Sequence, residues 1–259
     1  MTPKKHLIDF TIVQNERLGD KTILLRCTDI KEPLPQMLPG QFAQLRVDGS
    51  PSTMLRRPIS INFVDRVQNE IWFMVQLVGE GTRHLAQLKA GDTLNALLPL
   101  GNGFTIPQDK TKKHLLVGGG VGIAPLLYLG SEIRQMGAEP TFLLGARTES
   151  LLTEMESFCN LGKVYVTTED GSLGEKGFVT QHSILQQQKF DRISVCGPSP
   201  MMKAVTRFAR ETGTPCEVSL ENMMACGLGA CLCCVEKTVR GNVCVCTEGP
   251  VFDIKELNW

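Results

Sequence analysis

The sequence predicts a multi-domain protein: an N-terminal antiparallel β-barrel, a central α/β domain with a doubly wound parallel sheet, and a small C-terminal cysteine-rich subdomain. Short apolar runs separated by turns predict the first part, and alternating strands and helices from His114 predict the second. Six of the ten cysteines lie between Cys226 and Cys246, which sets the third part apart. The expected domain boundaries are 1–108, 109–214 and 215–259.

The first domain is expected to contain six strands and little helix, which is typical of a small barrel or sandwich. The strand-forming runs are LIDFTIVQ, KTILLRC, QFAQLRV, PISINFV, EIWFMVQLV and TLNALLPL. Turn residues separate these runs, and one helix is predicted at RHLAQLKA. The polar segment from Ile106 to Lys113 is expected to be a linker to the second domain.

The second domain alternates strands with helices, as parallel sheets require. Its predicted strands are HLLVGGG, PTFLLGAR, KVYVTTED and FDRISVCGP, and its helices lie in GIAPLLYLGSEIRQMG, ESLLTEMESF, TQHSILQQQ and PMMKAVTRFARE. Ligands of such sheets bind beyond the carboxyl ends of the strands. Two glycine-containing turns, Gly118 to Gly122 and Gly197-Pro198, are expected at that edge.

Composition argues against nucleic-acid and membrane partners. The 27 Lys and Arg residues balance the 27 Asp and Glu residues, and there are only two Trp and two Tyr. No apolar run is long enough to span a bilayer. The start, MTPKKHLIDF, lacks the apolar segment of a secretory signal, so a cytoplasmic location is expected.

The clustered cysteines have the spacing of an iron–sulfur protein. Cys226-x4-Cys231-x2-Cys234 followed by a later cysteine is typical of plant-type [2Fe–2S] ferredoxins. Glycines at 227 and 229 suit a loop whose amides turn towards cluster sulfurs. The residues alone leave the fourth ligand open between Cys244 and Cys246. A one-electron carrier is the function that this pattern favours.

Zinc ligation and disulfide formation are two other possible uses of the cysteines. Zinc ribbons favour two Cys-x2-Cys pairs, and only Cys231-x2-Cys234 qualifies here. Disulfides need an oxidising compartment. The isolated cysteines, such as Cys27, Cys159 and Cys216, are expected to be buried, inert thiols.

A strand of the first domain carries a motif for a flavin. An arginine followed by a small apolar residue and a hydroxyl, in Arg57-Pro58-Ile59-Ser60, resembles the Arg-x-x-Ser motif of the ferredoxin–NADP reductase superfamily. A guanidinium can neutralise a diphosphate, while Ser60 and the strand backbone can hydrogen-bond the flavin ring. The resemblance extends to Met74-Val75-Gln76 and to Gly81-Thr82 at a helix start, where amides favour a phosphate. FAD is the implied cofactor.

The second domain carries matching turns for a nicotinamide nucleotide. Gly118-Gly119-Gly120-Val121-Gly122-Ile123-Ala124-Pro125 resembles the GG-x-G-x-x-P turn of the same superfamily. The resemblance places Cys196-Gly197-Pro198 close to the nicotinamide ring. Hydride transfer to a flavin needs alignment rather than an acid or a base, so no catalytic residue is predicted.

The whole chain resembles the iron–sulfur electron-transfer subunits of type B dihydroorotate dehydrogenase, above all in ACGLGACLCC and the closing Cys-x-x-Gly-Pro-Val-Phe. This resemblance implies the cluster ligands Cys226, Cys231, Cys234 and Cys246. It also implies electron transfer between NAD(H) and a separate FMN-containing catalytic subunit, through FAD and the cluster, in pyrimidine biosynthesis. The implied assembly is a heterotetramer of two chains of each kind. Cys233 and Cys244 are extra cysteines beside the implied ligands.

Two alternatives stay open from the sequence. One is the small FAD and [2Fe–2S] subunit of a ferredoxin:NADP oxidoreductase or a sulfide dehydrogenase, which shares these motifs. The other is a non-enzymatic adaptor that carries zinc. The choice between NADH and NADPH is also open, because Arg147 could pair with a 2′-phosphate that Glu169 and Asp170 would repel.

Overall fold

A computed structural model describes residues 4–259. The strands are β1 (His6–Gly19), β2 (Thr22–Thr28), β3 (Phe42–Leu45), β4 (Arg57–Ser60), β5 (Phe63–Asp65), β6 (Glu70–Gln76), β7 (Thr93–Leu100), β8 (His114–Gly119), β9 (Thr141–Ala146), β10 (Lys163–Thr168), β11 (Glu175–Lys176), β12 (Arg192–Cys196), β13 (Cys216–Ser219), β14 (Val235–Thr238), β15 (Gly241–Cys244) and β16 (Val251–Asp253). The α-helices are α1 (Glu80–Leu85), α2 (Ala124–Gln135), α3 (Met155–Leu161), α4 (Ile184–Gln187), α5 (Ser199–Thr212) and α6 (Val245–Glu248).

The first sheet is antiparallel and contains seven strands in the order β4-β3-β7-β1-β2-β6-β5. Its inner face is packed with side chains that are almost fully buried, including Phe10, Ile61 and Phe73. The predicted strand PISINFV is interrupted into β4 and β5, because Ile61 and Asn62 turn inward between them. The predicted helix begins earlier than RHLAQLKA, at Glu80, with Gly79 as its extended N-cap.

The second sheet has the order β11-β10-β9-β8-β12-β13-β16, and all its pairs except β13 with β16 are parallel. β8 lies at its centre and is buried along its whole length. The strand order reverses between β8 and β12, so this sheet has its switch point at the predicted glycine turns. The predicted fold class is confirmed.

The cysteine-rich segment leaves the second sheet at β13 and returns to it at β16. Between them lies the two-stranded sheet of β14 and β15. β13 belongs to the nucleotide sheet although the expected boundaries assign it to the tail, so we propose to place that boundary after Ser219. Asn102 joins the segment to the barrel, because its backbone N–H donates to Gly249 O at 2.6 Å.

The isolated cysteines do not all behave alike. Cys27 and Cys216 are buried, as expected, and burial raises the pKa of the Cys216 thiol to about 12. Cys159 is exposed on α3, so the expectation of burial is wrong for this residue. No helix among residues 4–259 is long and apolar enough to cross a membrane.

Candidate redox site

A cavity of about 290 Å³ opens where the barrel, the nucleotide domain and the cysteine-rich segment meet. The barrel lines it with all four residues of β4, and with Met74 and Gln76 of β6. The nucleotide domain adds Val121 and Ala124, and the start of the segment adds Glu221 and Met224. The predicted flavin strand, the predicted nucleotide turn and the cysteine-rich segment therefore share one site.

Two adjacent arginines in this site have different partners. Arg56 donates hydrogen bonds to Gln44 O at 3.1 Å and to Asn95 Oδ1 at 2.6 Å, so it joins strands of the barrel. The Arg57 guanidinium lines the cavity, and its side-chain hydrogen bond within residues 4–259 goes to the carbonyl of Arg56, at 3.5 Å. It lies against the first turn of α1, where a Cβ on Gly81 would stand 2.8 Å from Arg57 Nε. Arg57 is thus the cation that remains available for an anionic group.

This difference predicts two distinct phenotypes. We expect Arg57→Ala to weaken FAD binding by about 10–100-fold, because a charge-assisted hydrogen bond contributes about 1.5–3 kcal/mol. Its melting temperature without added flavin should be close to that of the wild type. Arg56→Ala should instead lower the melting temperature, because it strips buried carbonyls of their donor. Flavin titration and thermal denaturation of both variants check this, and equal losses of affinity would contradict it.

The other predicted flavin residues differ in what they can offer. Pro58, Ile59 and Ser60 face the cavity. Val75 points into the barrel core, so only its backbone can contribute, whereas Met74 and Gln76 on either side of it line the cavity. The Thr82 hydroxyl accepts from the N–H groups of Val78 and Gly79, both at 3.1 Å, and therefore orders the turn before α1.

The two glycine turns of the nucleotide domain touch each other. A Cβ on Gly122 would lie 2.5 Å from Gly197 Cα and 2.6 Å from Cys196 C. A Cβ on Gly119 would lie 2.5 Å from Met201 Sδ. Gly118 is buried at the end of β8, and Gly120 takes the left-handed conformation at φ +56°. This close backbone contact fixes both turns at the carboxyl edge of the sheet.

Cys196 is completely buried beneath the cavity, while Pro198 is exposed at the start of α5. Burial raises the pKa of the Cys196 thiol well above its usual range, and the nearby Glu221 carboxylate adds to this effect. The thiol faces Glu221 Oε1 at 3.9 Å. Desolvation also raises the pKa of Glu221. Sequence reasoning missed Glu221, which follows β13 and carries no local motif.

An anionic cluster lies at the same sheet edge, beyond β9 and β10. Asp170 Oδ1 accepts from the Ser172 N–H at 3.0 Å and from its hydroxyl at 2.7 Å. These hydrogen bonds lower the pKa of Asp170 to about 2, and the Ser172 hydroxyl has the larger effect. Arg147 is exposed, and its carbonyl accepts from the Asp170 N–H. A carboxylate that these hydrogen bonds keep ionised therefore lies at the carboxyl edge of the sheet, the edge where nucleotides bind to such folds.

The loop from Cys226 to Cys234 turns backbone amides towards sulfur. Leu228 N–H donates to Cys226 Sγ at 3.3 Å, and Gly229 N–H donates to Cys246 Sγ at 3.2 Å. Cys246 N–H donates to Cys234 Sγ at 3.4 Å. Gly227 and Gly229 have φ values of +68° and +81°, which only glycine adopts freely. The sequence argument for these two glycines agrees with this geometry.

The four predicted ligands lie as two pairs. The Leu228 amide and the neighbouring Cys231 thiol lower the pKa of Cys226 to about 6. Burial raises the pKa of Cys246 to about 12, and the Cys234 thiol beside it adds to the shift. Among residues 4–259, no three His, Cys, Asp or Glu side chains gather closely enough to hold a single metal ion. A two-iron cluster takes two thiolates on each iron, which two pairs of cysteines can supply.

Comparison with known proteins gives this arrangement a family. Residues 221–258 match the iron–sulfur cluster binding domain of dihydroorotate dehydrogenase B, and residues 116–207 match the oxidoreductase NAD-binding domain. The electron transfer subunit of dihydroorotate dehydrogenase B (NAD(+)) from Fusobacterium nucleatum is 37% identical over 253 residues, which are 94% of this chain and 95% of the relative. The chain belongs to this family.

A second relative supports the assignment at higher identity. The corresponding subunit from Shouchella clausii is 41% identical over 224 residues, 85% of this chain and 86% of the relative. A solved structure of the NADH-dependent reduced ferredoxin-NADP oxidoreductase is 31% identical, covers 96% of this chain and 90% of its own, and has a TM-score of 0.85. A ferredoxin reductase of carbazole 1,9a-dioxygenase, 20% identical with a TM-score of 0.69, shares the fold. The predicted family is confirmed.

The residues present fit the cofactor set of this family, and the predicted set of FAD, a [2Fe–2S] cluster and NAD(H) is confirmed. Arg57 offers a cation beside the cavity for a flavin diphosphate, and it forms no ion pair within residues 4–259. The inward amides at Leu228, Gly229 and Cys246 offer donors to cluster sulfurs. A buried thiol such as Cys246 stays protonated until a metal displaces its proton, so it suits a permanently bound metal centre.

Proposed function

We propose that this chain passes electrons between NAD(H) and the catalytic subunit of a dihydroorotate dehydrogenase, and so serves pyrimidine biosynthesis. The observation that carries this proposal is the shared cavity, which brings the flavin strand, the nucleotide turn and the cysteine-rich segment together. When bound, FAD accepts a hydride, and the iron–sulfur cluster carries single electrons onward. The protein aligns these partners and keeps bulk water from the transfer path.

We propose particular residues for each group. Arg57 and the first turn of α1, with Gly81 and Thr82, would hold the flavin diphosphate, and Pro58, Ile59, Ser60, Met74, Gln76 and the backbone of Val75 would surround the flavin ring. The turns Gly118–Gly122 and Cys196–Pro198 would hold the nicotinamide nucleotide. The cluster ligands would be Cys226, Cys231, Cys234 and Cys246.

NADH is the nucleotide that the sheet edge favours. The Asp170 carboxylate beyond β10 is held ionised by Ser172, and it would repel a 2′-phosphate. The same carboxylate can accept a hydrogen bond from a ribose hydroxyl. Arg147, the cation that could oppose this preference, is exposed and turned to solvent.

The cluster segment also presents an apolar surface to a partner. Met223 is 83% exposed and Leu232 is 65% exposed, and Cys231, which precedes Leu232 in the chain, is exposed as well. Exposed apolar side chains around a polar centre are typical of a protein interface. We propose that this surface meets an FMN-containing catalytic subunit in a heterotetramer of two chains of each kind, in the cytoplasm.

Relatives with other partners are less favoured. The identity of 37–42% to dihydroorotate dehydrogenase subunits exceeds the 31% to the ferredoxin-NADP oxidoreductase structure. A zinc-bearing adaptor would not require a cofactor-sized cavity lined by β4 and by the nucleotide turn.

Reconstitution tests the proposed function. The purified chain, mixed with a dihydroorotate dehydrogenase catalytic subunit that contains FMN, should support the reduction of NAD(+) by dihydroorotate, and neither chain alone should do so. Introducing Met223→Lys and Leu232→Lys together should lower this rate by about tenfold or more, because charge is placed in an apolar contact.

The same double variant should still reduce its own FAD with NADH at the wild-type rate. Val67→Lys is the matched control, since Val67 is 90% exposed in the turn between β5 and β6, away from the cysteines. Recovery from the native host of a large partner containing FAD and a [4Fe–4S] cluster, in place of a dihydroorotate-oxidising flavoprotein, would contradict the proposal.

A further inference from the structure

One buried amide joins the flavin strand to the nucleotide turn. Asn62, which is fully buried just after β4, donates from Nδ2 to Glu154 Oε2 at 2.9 Å and to Ala124 O at 3.2 Å. Glu154 precedes α3, and Ala124 begins α2 and lines the redox cavity. Asn62 therefore connects the strand of Arg57 and Ser60 to the nucleotide domain directly.

This contact is built from groups that are costly to maintain. Glu154 Oε1 and Asn62 Oδ1 are both buried, and neither has a hydrogen-bond partner in the described part of the chain, residues 4–259. A buried acceptor without a donor destabilises the folded state. Glu154 also takes the left-handed conformation, with φ of +55°, which is uncommon for a residue with a side chain. Unfavourable features of this kind at a domain interface indicate that Asn62 and Glu154 hold the two domains in a particular position.

We propose that Asn62 and Glu154 are positioning residues that set how the glycine turn approaches the flavin strand, and that a proton on Glu154 loosens this contact. The inference rests on the proposed function, because it concerns hydride transfer from NADH to FAD. An ionised carboxylate accepts a charge-assisted hydrogen bond, which is roughly twice as strong as a neutral one. With Glu154 ionised, Asn62 is held so that its second N–H donates to Ala124 O.

The surroundings of Glu154 place this change near neutral pH. Burial raises the pKa of its carboxyl to about 7, the hydrogen bond from Asn62 opposes that shift, and the Glu16 carboxylate on β1 adds to it. Glu156 on α3 is exposed to solvent. Two uncharged contacts lie nearby: the Ala124 carbonyl of α2 accepts from Asn62, and the Thr153 hydroxyl contacts Met74 Sδ of β6.

Two opposite pH dependences follow. The contact is tight above about pH 7, so the rate of hydride transfer should rise as pH increases through that value. Stability should change in the other direction, because the folded protein keeps a proton that the unfolded chain loses. The free energy of unfolding should fall as pH rises from 4.5, the ordinary value, to about 7 and then level off.

Stopped-flow measurement of FAD reduction by NADH in the holoprotein, from pH 5.5 to 8.5, tests the inference. We expect the wild-type rate constant to rise by about five- to tenfold across this range. Glu154→Gln keeps an acceptor for Asn62 but cannot titrate, so its rate should be independent of pH. Glu156→Gln is the matched control, because Glu156 is an exposed residue of α3, and it should retain the wild-type rise. A rise of the same size in Glu154→Gln, or no rise in the wild type, would overturn the inference.

A second variant decides the matter if Glu154→Gln does not retain FAD. Asn62→Asp places a second carboxylate beside Glu154, and like charges raise the pKa of the pair. It also removes both N–H donors of Asn62, so the contact cannot tighten when Glu154 ionises and the rise should be lost between pH 5.5 and 8.5. A wild-type rise in Asn62→Asp would overturn the inference. Failure of NADH to reduce FAD at every pH would overturn the proposed function as well, whereas a shared rise in wild type and Glu154→Gln overturns this inference alone.

Discussion

Replacing Gly122 with alanine is expected to reduce the rate of FAD reduction by NADH by about 100-fold, because a displacement of about 1 Å can cost that much in a hydride transfer that depends on alignment. The new Cβ would lie 2.5 Å from Gly197 Cα and 2.6 Å from the Cys196 carbonyl oxygen. Both neighbours are backbone atoms, so no side chain can rotate away. The two turns must therefore separate, and the nucleotide moves with them.

The backbone at Gly122 does not require glycine, since its φ lies outside the left-handed region. The effect should therefore come from the contact between the turns, with FAD and iron contents unchanged. Gly19→Ala is the matched control, because its nearest outside atom is Ser150 O at 3.9 Å. Stopped-flow reduction of both variants by NADH measures the difference. A wild-type rate in Gly122→Ala would show that the turns tolerate separation.

Local sequence patterns predicted three parts of the candidate site. The cysteine spacing, the Gly118–Gly122 turn and the Arg57–Ser60 strand are each contained within a few consecutive residues, and each has one physical reason for its residue types. The Arg57–Ser60 strand and Val121 of the glycine turn line one cavity, and Met224, two residues before the first clustered cysteine, lines it as well. The parallel sheet predicted from the sequence implied that both glycine turns lie at the same edge, because the carboxyl ends of parallel strands lie at one edge of the sheet.

Features that depend on distant partners could not be predicted in this way. Asn62 and Glu154 are 92 residues apart, and Cys196 and Glu221 are 25 apart, so no periodicity links them. Arg56 and Arg57 are identical in type and adjacent, yet only the structure shows that one joins strands and the other faces the cavity. β16 is only three residues long, and its pairing with β13 depends on the chain returning from the cysteine-rich segment.

Removing the Cys246 thiol should abolish the iron–sulfur cluster, whereas removing the Cys244 thiol should leave it in place. Gly229 distinguishes the two sulfurs, since its N–H donates to Cys246 Sγ at 3.2 Å while its carbonyl lies 3.9 Å from Cys244 Sγ. A thiolate is stabilised by an amide N–H and repelled by a carbonyl oxygen. Cys246 is also the more buried of the two, being 2% exposed, whereas Cys244 is partly exposed.

Cys246→Ala and Cys244→Ala are matched because each removes one sulfur from the same short stretch, where β15 ends at Cys244 and α6 contains Cys246. Iron and sulfide analysis should give nearly no cluster for the first and a full cluster for the second. Both variants should still bind FAD and reduce it with NADH, because the flavin strand and the nucleotide turns lie outside this segment. Electron transfer to the catalytic subunit should be lost only in Cys246→Ala, because without the cluster the electrons of the reduced FAD cannot reach that subunit. The opposite result, with iron lost from Cys244→Ala and kept in Cys246→Ala, would assign the fourth ligand to Cys244 and would mean that the Gly229 peptide turns over when the metal binds.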